Sequence, residues 1–268
     1  MTHIPTSTIQ WDPELNISDI IGPSAKELLE IYSGIPPTDV NHHVARTAKQ
    51  GWEIAHYPCF RLASFLNLEL SRLPVYPRIV DRVKQGALFV DLGCGLGQDI
   101  RRLAYDGAPS ENMVGLDLRE GVIELGYDLF KDKNTLKARL LAQDFFEDTP
   151  ALGELIGRIE IINSGLFMHL WDWAGQVRIG QRMIELLTPQ GGLITGLHSG
   201  GRESGNHKAE GWIERFIHNE MSFQHMWIEI ERLTGAHCNV AISAQEDNRY
   251  RPDDQPAFRL QWVVEVRR

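Results

Sequence analysis

Phe89-Val-Asp91-Leu-Gly93-Cys-Gly95-Leu-Gly97-Gln-Asp99 is the stretch on which the fold of this 268-residue chain turns. The apolar run from Ala87 to Leu92 reads as a buried strand, the three glycines as a tight turn, and the residues from Gln98 to about Asp106 as a helix. A turn of this kind lets backbone approach a ligand closely at a helix N-terminus. Dinucleotide folds favour G-x-G-x-x-G at this place. Here the spacing is G-x-G-x-G, and Asp91 stands two residues ahead of the first glycine. A carboxylate there repels a pyrophosphate and attracts a cation, such as the amino group or sulfonium of S-adenosyl-L-methionine.

Outward from the turn, short apolar runs alternate with amphipathic segments. Met113 to Leu118, Leu136 to Gln143, Arg158 to Ile162 and Gly192 to Leu197 read as strands, with helices near 98–106, 120–130 and 172–187. A helix from about Ser222 to Thr234 precedes two final strands, His237 to Ser243 and Phe258 to Val266, which flank a charged loop, Gln245 to Gln255. Alternating strands and helices imply a parallel, doubly wound α/β sheet. The last two strands have no helix between them, so one must run antiparallel. The expectation is a seven-stranded Rossmann-like sheet with a C-terminal antiparallel strand.

The N-terminal part reads differently. Ser24-Ala-Lys-Glu27 has capping-box spacing, Val40, Val44, Ala48, Trp52 and Ala55 form one apolar stripe, and Phe60 to Leu70 reads as a third helix. Ile79 to Lys84 closes this part. We therefore expect an N-terminal helical lid or substrate segment over 1–85 and a ligand-binding domain over 86–268.

Two further acids end strands. Asp117 lies 24 residues after Gly93, where a carboxylate accepts both ribose hydroxyl protons, and Asp144-Phe145 ends the third strand, where it can read an adenine edge. Any one aspartate can instead be a helix cap or a solvated turn. Three in this register point to a nucleoside ligand at the carboxyl edge of the sheet.

Composition removes other classes. Hydrophobic residues are 43% and charged residues 24%, which excludes disorder as the main state. Net charge is −9, so a phosphate backbone is repelled on average and nucleic acid is not an expected partner. No apolar run is long enough to span a membrane, and no secretory signal opens the chain. Cys59, Cys94 and Cys238 match no disulfide or zinc pattern and suit a reducing cytosol, and no H-E-x-x-H or C-x-x-C occurs, so no metal is expected.

From about residue 86 onward the chain resembles the class I S-adenosylmethionine-dependent methyltransferases. The resemblance implies that Asp91, Gly93, Gly95 and Gly97 form the first cofactor motif, Asp117 the ribose acid and Asp144-Phe145 the adenine pair, with Leu118 and Asn163 beside them. A narrower resemblance covers nearly the whole chain. Tyr32-Ser-Gly-Ile-Pro-Pro37, Tyr57-Pro-Cys59-Phe60, Gly97-Gln-Asp99-Ile-Arg101, Asp106-Gly-Ala-Pro109, Leu125-Gly-Tyr127-Asp-Leu-Phe130, His169-Leu-Trp171 and Ser222-Phe-Gln-His-Met-Trp227 look like the small fungal methyltransferases of meroterpenoid and related pathways. Members of that group methylate the carboxyl of a prenylated aromatic polyketide acid. Cys94-Gly95-Leu96 departs from the Cys-Cys-Phe common there, which puts the substrate in doubt. A homodimer is compatible with the resemblance.

The resemblance makes the chemistry an in-line methyl transfer, for which an enzyme mostly supplies alignment. A carboxylate acceptor is ionised at neutral pH and needs no general base, whereas a phenol benefits from one. His169, after the fourth strand, is the catalytic candidate, either orienting a carboxylate or taking a hydroxyl proton; a histidine serving its own loop is the plain alternative. His198 is a weaker candidate. His42, His43 and His56 are expected at the surface or a groove. Tyr32, Trp52 and Trp171, with His198, are expected to bind the acceptor, although aromatics at helical spacing are more often core. Asn163-Ser164-Gly165-Leu166 lacks the prolines and aromatic of the N/D-P-P-Y amino methyltransferases, and no carboxylate cluster suits magnesium. The reading is thus an O-methyltransferase for a small hydrophobic acid. The alternatives are a phenol, enol or nitrogen acceptor, a cofactor-binding module acting through a partner, or a cyclase or rearrangement catalyst on the same scaffold.

Overall fold

The computed structural model of the chain describes residues 20–208, 214–247 and 258–268. Its strands are β1 (Phe89–Leu92), β2 (Met113–Asp117), β3 (Arg139–Ala142), β4 (Ile161–Gly165), β5 (Gly192–Gly200), β6 (Gly205–His207), β7 (Arg215–Ile217), β8 (His237–Glu246) and β9 (Phe258–Arg267). Seven of them form a mixed sheet in the order β3-β2-β1-β4-β5-β9-β8. The pairs β2–β3, β1–β4 and β4–β5 are parallel, and β9 runs antiparallel to both β5 and β8. This is the expected doubly wound sheet with its C-terminal antiparallel strand. Every residue of β1 is buried, as a central parallel strand requires, whereas β8 at the edge alternates exposed and half-buried residues along its first seven positions.

The described chain divides into two compact units. One runs up to Gly86 and resumes over Cys94–Asp144; the other comprises Ala87–Gly93 and Phe145–Arg268. In the first, the helix Val40–Ile54 buries the predicted stripe of Val40, Val44, Ala48 and Trp52. These residues share one apolar cluster with Leu28, Leu29 and Phe60 and with Val122, Leu125, Leu129 and Phe130 of the helix Glu120–Phe130. The N-terminal helices therefore bury their apolar faces in this shared cluster.

Local expectations differ from the structure at several points. Pro23 takes the first position of the helix Pro23–Glu27, so Ser24 lies inside it and Gly22 is the cap, without a side-chain bond. The third N-terminal helix is broken into Pro58–Arg61 and two 3₁₀ turns, Ser64–Leu66 and Glu69–Arg72, because Ala63 and Leu68 adopt left-handed backbone at φ 49°. Both residues are buried, so tertiary burial overrides local preference. His43 is buried rather than at a surface, with Nε2 3.0 Å from the Leu129 carbonyl. The fourth strand begins at Ile161, three residues later than its apolar pattern suggested.

In the second unit, Asp172 caps the helix Trp173–Leu186 by accepting the Gly175 amide proton. Asn219 and Ser222 form a capping box on the helix Glu220–Thr234, which stops at Gly235 with φ 72°. An antiparallel β6–β7 pair follows β5 where the polar sequence carries no strand period. The expected charged loop lies largely outside the described residues. Among the described residues, no helix is long and apolar enough to cross a membrane.

Candidate active site

The glycine turn adopts the conformation its composition demands, with φ of 68° at Gly93, 56° at Gly95 and 67° at Gly97. The turn is pinned from the side by the Cys94 amide, which donates to the Leu116 carbonyl at 3.0 Å. Gly95 N–H donates to Asp117 Oδ2 at 2.9 Å, and Arg119 N–H donates to Oδ1 at 3.0 Å. Burial pushes the Asp117 carboxyl up, while the amides of Arg119, Gly95 and Leu118 pull it back. Gly95 and Arg119 each take one oxygen, the Leu118 amide also acts on the carboxylate, and the remaining lone-pair capacity is left for hydroxyl donors. Leu118, the next residue, is 41% exposed, an apolar side chain left open beside the acid.

Two observations test whether the turn can hold a nucleoside cofactor. A Cβ on Gly95 would meet nothing nearer than Gln98 Oε1 at 4.0 Å, so the space over this glycine is open. That same Gln98 oxygen is buried without a hydrogen-bond partner, an acceptor that a bound amino or hydroxyl group would satisfy. The residues fit the group. The predicted signature Tyr57-Pro-Cys59-Phe60 also reaches this place. Burial and the Asp117 charge push the Tyr57 hydroxyl and the Cys59 thiol up, each to about 12, and Arg119 hydrogen-bonds Tyr57. Asp144 is half-buried at the end of this unit.

In the second unit, Asn163 Nδ2 donates to Asp91 Oδ1 at 2.7 Å, with both side chains buried. The pair follows from the β1–β4 register, which sets Asp91 opposite Asn163. The bond fixes the orientation of the carboxylate. Phe145 and Trp171 both pack on Phe167, at centroid distances of 6.0 and 4.7 Å. Phe167 also backs Gly93, where a Cβ would lie 2.7 Å from its ring.

His169 follows in the same turn. It is half-buried, and its Nδ1 is fully buried without a partner. Its ring stands 5.7 Å from that of His198, which is 5.3 Å from that of His218. Burial, then His198, Arg215 and Arg259, hold the His169 imidazole well below its usual value. Burial takes His198 down to about 4, opposed by the Ser199 carbonyl, and takes His218 down to about 3 with help from His198. Of the remaining acceptor candidates, Trp52 is core and stands edge-on to His56 at 4.8 Å, and the Tyr32 hydroxyl donates to Asp132 at 2.8 Å. Both belong to the first unit, whereas Trp171 and His198 belong to the second. Sequence reading overlooked Gln98, His218 and Gln176. The first carried a signal in its place behind the glycines; the other two are recognisable only by contacts distant in sequence.

The buried neutral His198 and His218 set a pH dependence. In the unfolded chain they bind protons below about pH 6.5. Below that value the unfolded state holds more protons, so their contribution is complete above 6.5 and is lost as pH falls toward 3 to 4. We predict that His218→Asn narrows the stability gap to wild type by about 2 kcal/mol between pH 7 and pH 5, read by urea denaturation. A gap independent of pH would show that His218 is not buried neutral. The comparison uses a variant because Asp99 acts in the opposite sense: burial, then Glu69, push its carboxyl up, so it favours the folded state as pH falls.

Comparison with known proteins matches residues 11–66 to the meroterpenoid methyltransferase N-terminal domain and residues 89–191 to a methyltransferase domain. The chain is 39% identical over 86% of its length to the asnovolin E/chermesin D methyltransferase nvfJ of Aspergillus novofumigatus, covering 84% of that protein. It is 36% identical over 87% of its length to the O-methyltransferase phiE of a Fungal sp., covering 78% of it. A solved SAM-dependent methyltransferase from Methanosarcina mazei shares the fold at a TM-score of 0.51, with 15% identity over 72% of this chain and 98% of the other. Sheet order and these relatives agree, and the chain belongs to the S-adenosylmethionine-dependent methyltransferases related to those of fungal meroterpenoid biosynthesis.

Proposed function

We propose that the chain is an O-methyltransferase that converts the carboxyl group of a small hydrophobic natural-product intermediate into its methyl ester. The observation that carries this reading is the environment of His169. Burial first, and then His198, Arg215 and Arg259, keep its imidazole neutral, which makes it a poor general base and a suitable hydrogen-bond partner. Arg259 is itself paired with the buried Asp247 carboxylate at 3.3 Å, so the neutral imidazole, and not an excess of cations, carries the reading. An acceptor with a pKa of about 4 needs no base. The names of phiE and nvfJ support an oxygen acceptor in the first case and a natural-product acceptor in the second.

Bound S-adenosylmethionine supplies an electrophilic methyl group on a sulfonium. In this reading Asp117 accepts the ribose hydroxyls, Leu118 covers the adenine, and Asp144 with the Phe145 amide reads its edge. Asp91, held by Asn163, takes the amino group, and Gly93, Gly95 and Gly97 allow backbone approach. His169 orients the acceptor carboxylate. Trp171 and His198 shape the acceptor side, while Trp52 and Tyr32 hold the N-terminal segment together from within; residues 1–85 serve as substrate segment and 86–268 as methyltransferase domain.

The test pairs hydrophobic aromatic acids with phenol-only analogues and reads product mass and base lability. A gain of one methyl in a base-labile product is expected, with a rate that stays flat above about pH 5. His169→Ala should cut turnover about 10- to 100-fold while cofactor affinity holds. Methylation of the phenols alone would overturn the carboxyl reading. Equal losses of turnover and cofactor affinity would remove His169 from the acceptor side.

A further inference from the structure

Gln176 lies in the first turn of the helix Trp173–Leu186 and is completely buried. Its Nε2 lies 2.9 Å from the Trp171 carbonyl and 2.9 Å from the Phe216 carbonyl. Both oxygens can only accept, so the amide must present its NH₂ to them. The Oε1 then faces His198 Nε2 at 2.8 Å and can only accept a proton from it. The Phe216 amide donates to the Trp171 carbonyl at 3.0 Å, which draws β7 to the same point. One side chain thus joins the turn that carries His169 and Trp171, the β7 strand and His198 within β5.

We propose that Gln176 is a positioning residue of the acceptor side: it ties the His169–Trp171 turn to β7 and fixes His198 as the tautomer protonated on Nε2. This rests on the acceptor lying against that turn. The other His198 nitrogen, Nδ1, is 2.9 Å from the Ser199 carbonyl, which would select the opposite tautomer if Gln176 did not intervene. The His198 ring edge, and through it the His169 ring 5.7 Å away, takes its setting from this amide. A buried amide with all three of its contacts met is costly to disturb.

Two variants separate the tasks. Gln176→Leu removes both. Gln176→Glu keeps an acceptor for His198 but loses the two protons given to Trp171 and Phe216. Nitrogen-15 NMR of the wild-type protein at pH 7.5 should show His198 protonated on Nε2, and Gln176→Leu should move that proton to Nδ1 while Gln176→Glu leaves it in place. Both variants should speed hydrogen exchange at the Phe216 amide. Both should raise the acceptor KM or lower kcat, together about 10- to 100-fold, with the cofactor Kd within about 2-fold of wild type. A wild-type Nδ1 tautomer, unchanged acceptor kinetics, or a parallel loss of cofactor affinity would overturn the proposal. If only phenols are turned over, the carboxyl reading falls and the kinetics are compared on the phenol. If no acceptor is turned over, the tautomer and the Phe216 exchange decide.

Discussion

Replacing Asp117 with alanine should weaken S-adenosylmethionine binding by about 100- to 1,000-fold while the protein stays folded. The carboxylate has two duties. It accepts the Gly95 and Arg119 amides, which holds the turn in its left-handed conformation, and it presents its remaining lone pairs to the ribose. Alanine removes the ribose contact and releases the Gly95 amide together. Charge-assisted hydrogen bonds contribute about 1.5 to 3 kcal/mol each, and losing the ribose pair alone accounts for the lower end of the range. Asparagine is not a mild replacement, because its NH₂ must face either an amide donor of the protein or a hydroxyl that has lost its acceptor. Calorimetric titration gives the affinity and thermal unfolding checks the fold. Affinity within a few-fold of wild type, in a folded variant, would remove the ribose assignment.

Asp117 stands out in the sequence because it combines a strand end, a glycine turn and a fixed spacing, and the structure ties it to that turn through the Gly95 amide. The central strands were legible for a related reason. Residues buried on both faces leave continuous apolar runs such as Phe89 to Leu92. The break at Ala63 and Leu68 was not legible, since neither residue favours left-handed backbone and only burial holds them there. Ser24 misled because Pro23 competes for the same helix start. The site divides along the same line. Asp91 with Asn163 could be foreseen from adjacent strand ends. Gln176 could not, because its partners Trp171, His198 and Phe216 meet only after β5 and β7 are in place.

Arg101 and Asp132 make the strongest case for contacts that periodicity hides. Arg101 Nε and Nη2 each donate to Asp132 at 2.8 Å, and both residues are buried. Arg101 Nη1 donates to the Leu96 carbonyl at 2.7 Å and the Gly97 carbonyl at 3.3 Å, so the guanidinium holds the back of the glycine turn. The Tyr32 hydroxyl completes the carboxylate, tying the helical segment Leu28–Tyr32 to the pair. Asp132→Ala should therefore cost about 3 to 5 kcal/mol of folding stability, because a buried guanidinium is left without its counter-charge. Removing both charges is a different experiment. Arg101→Met with Asp132→Leu keeps apolar volume among Tyr127 and Phe130, whose rings lie 5.2 and 4.7 Å from the guanidinium, and should be more stable than Asp132→Ala alone. The double variant still lacks the side-chain donor to the Leu96 carbonyl, while the Gly97 carbonyl keeps only the backbone amide of residue 101, so its cofactor affinity should stay below wild type even where its unfolding midpoint recovers. Denaturation midpoints and calorimetric affinities on the two variants separate these effects. Recovery of both together would mean that Arg101 serves the turn only through general stability; recovery of the midpoint alone makes the buried pair part of the cofactor-binding turn.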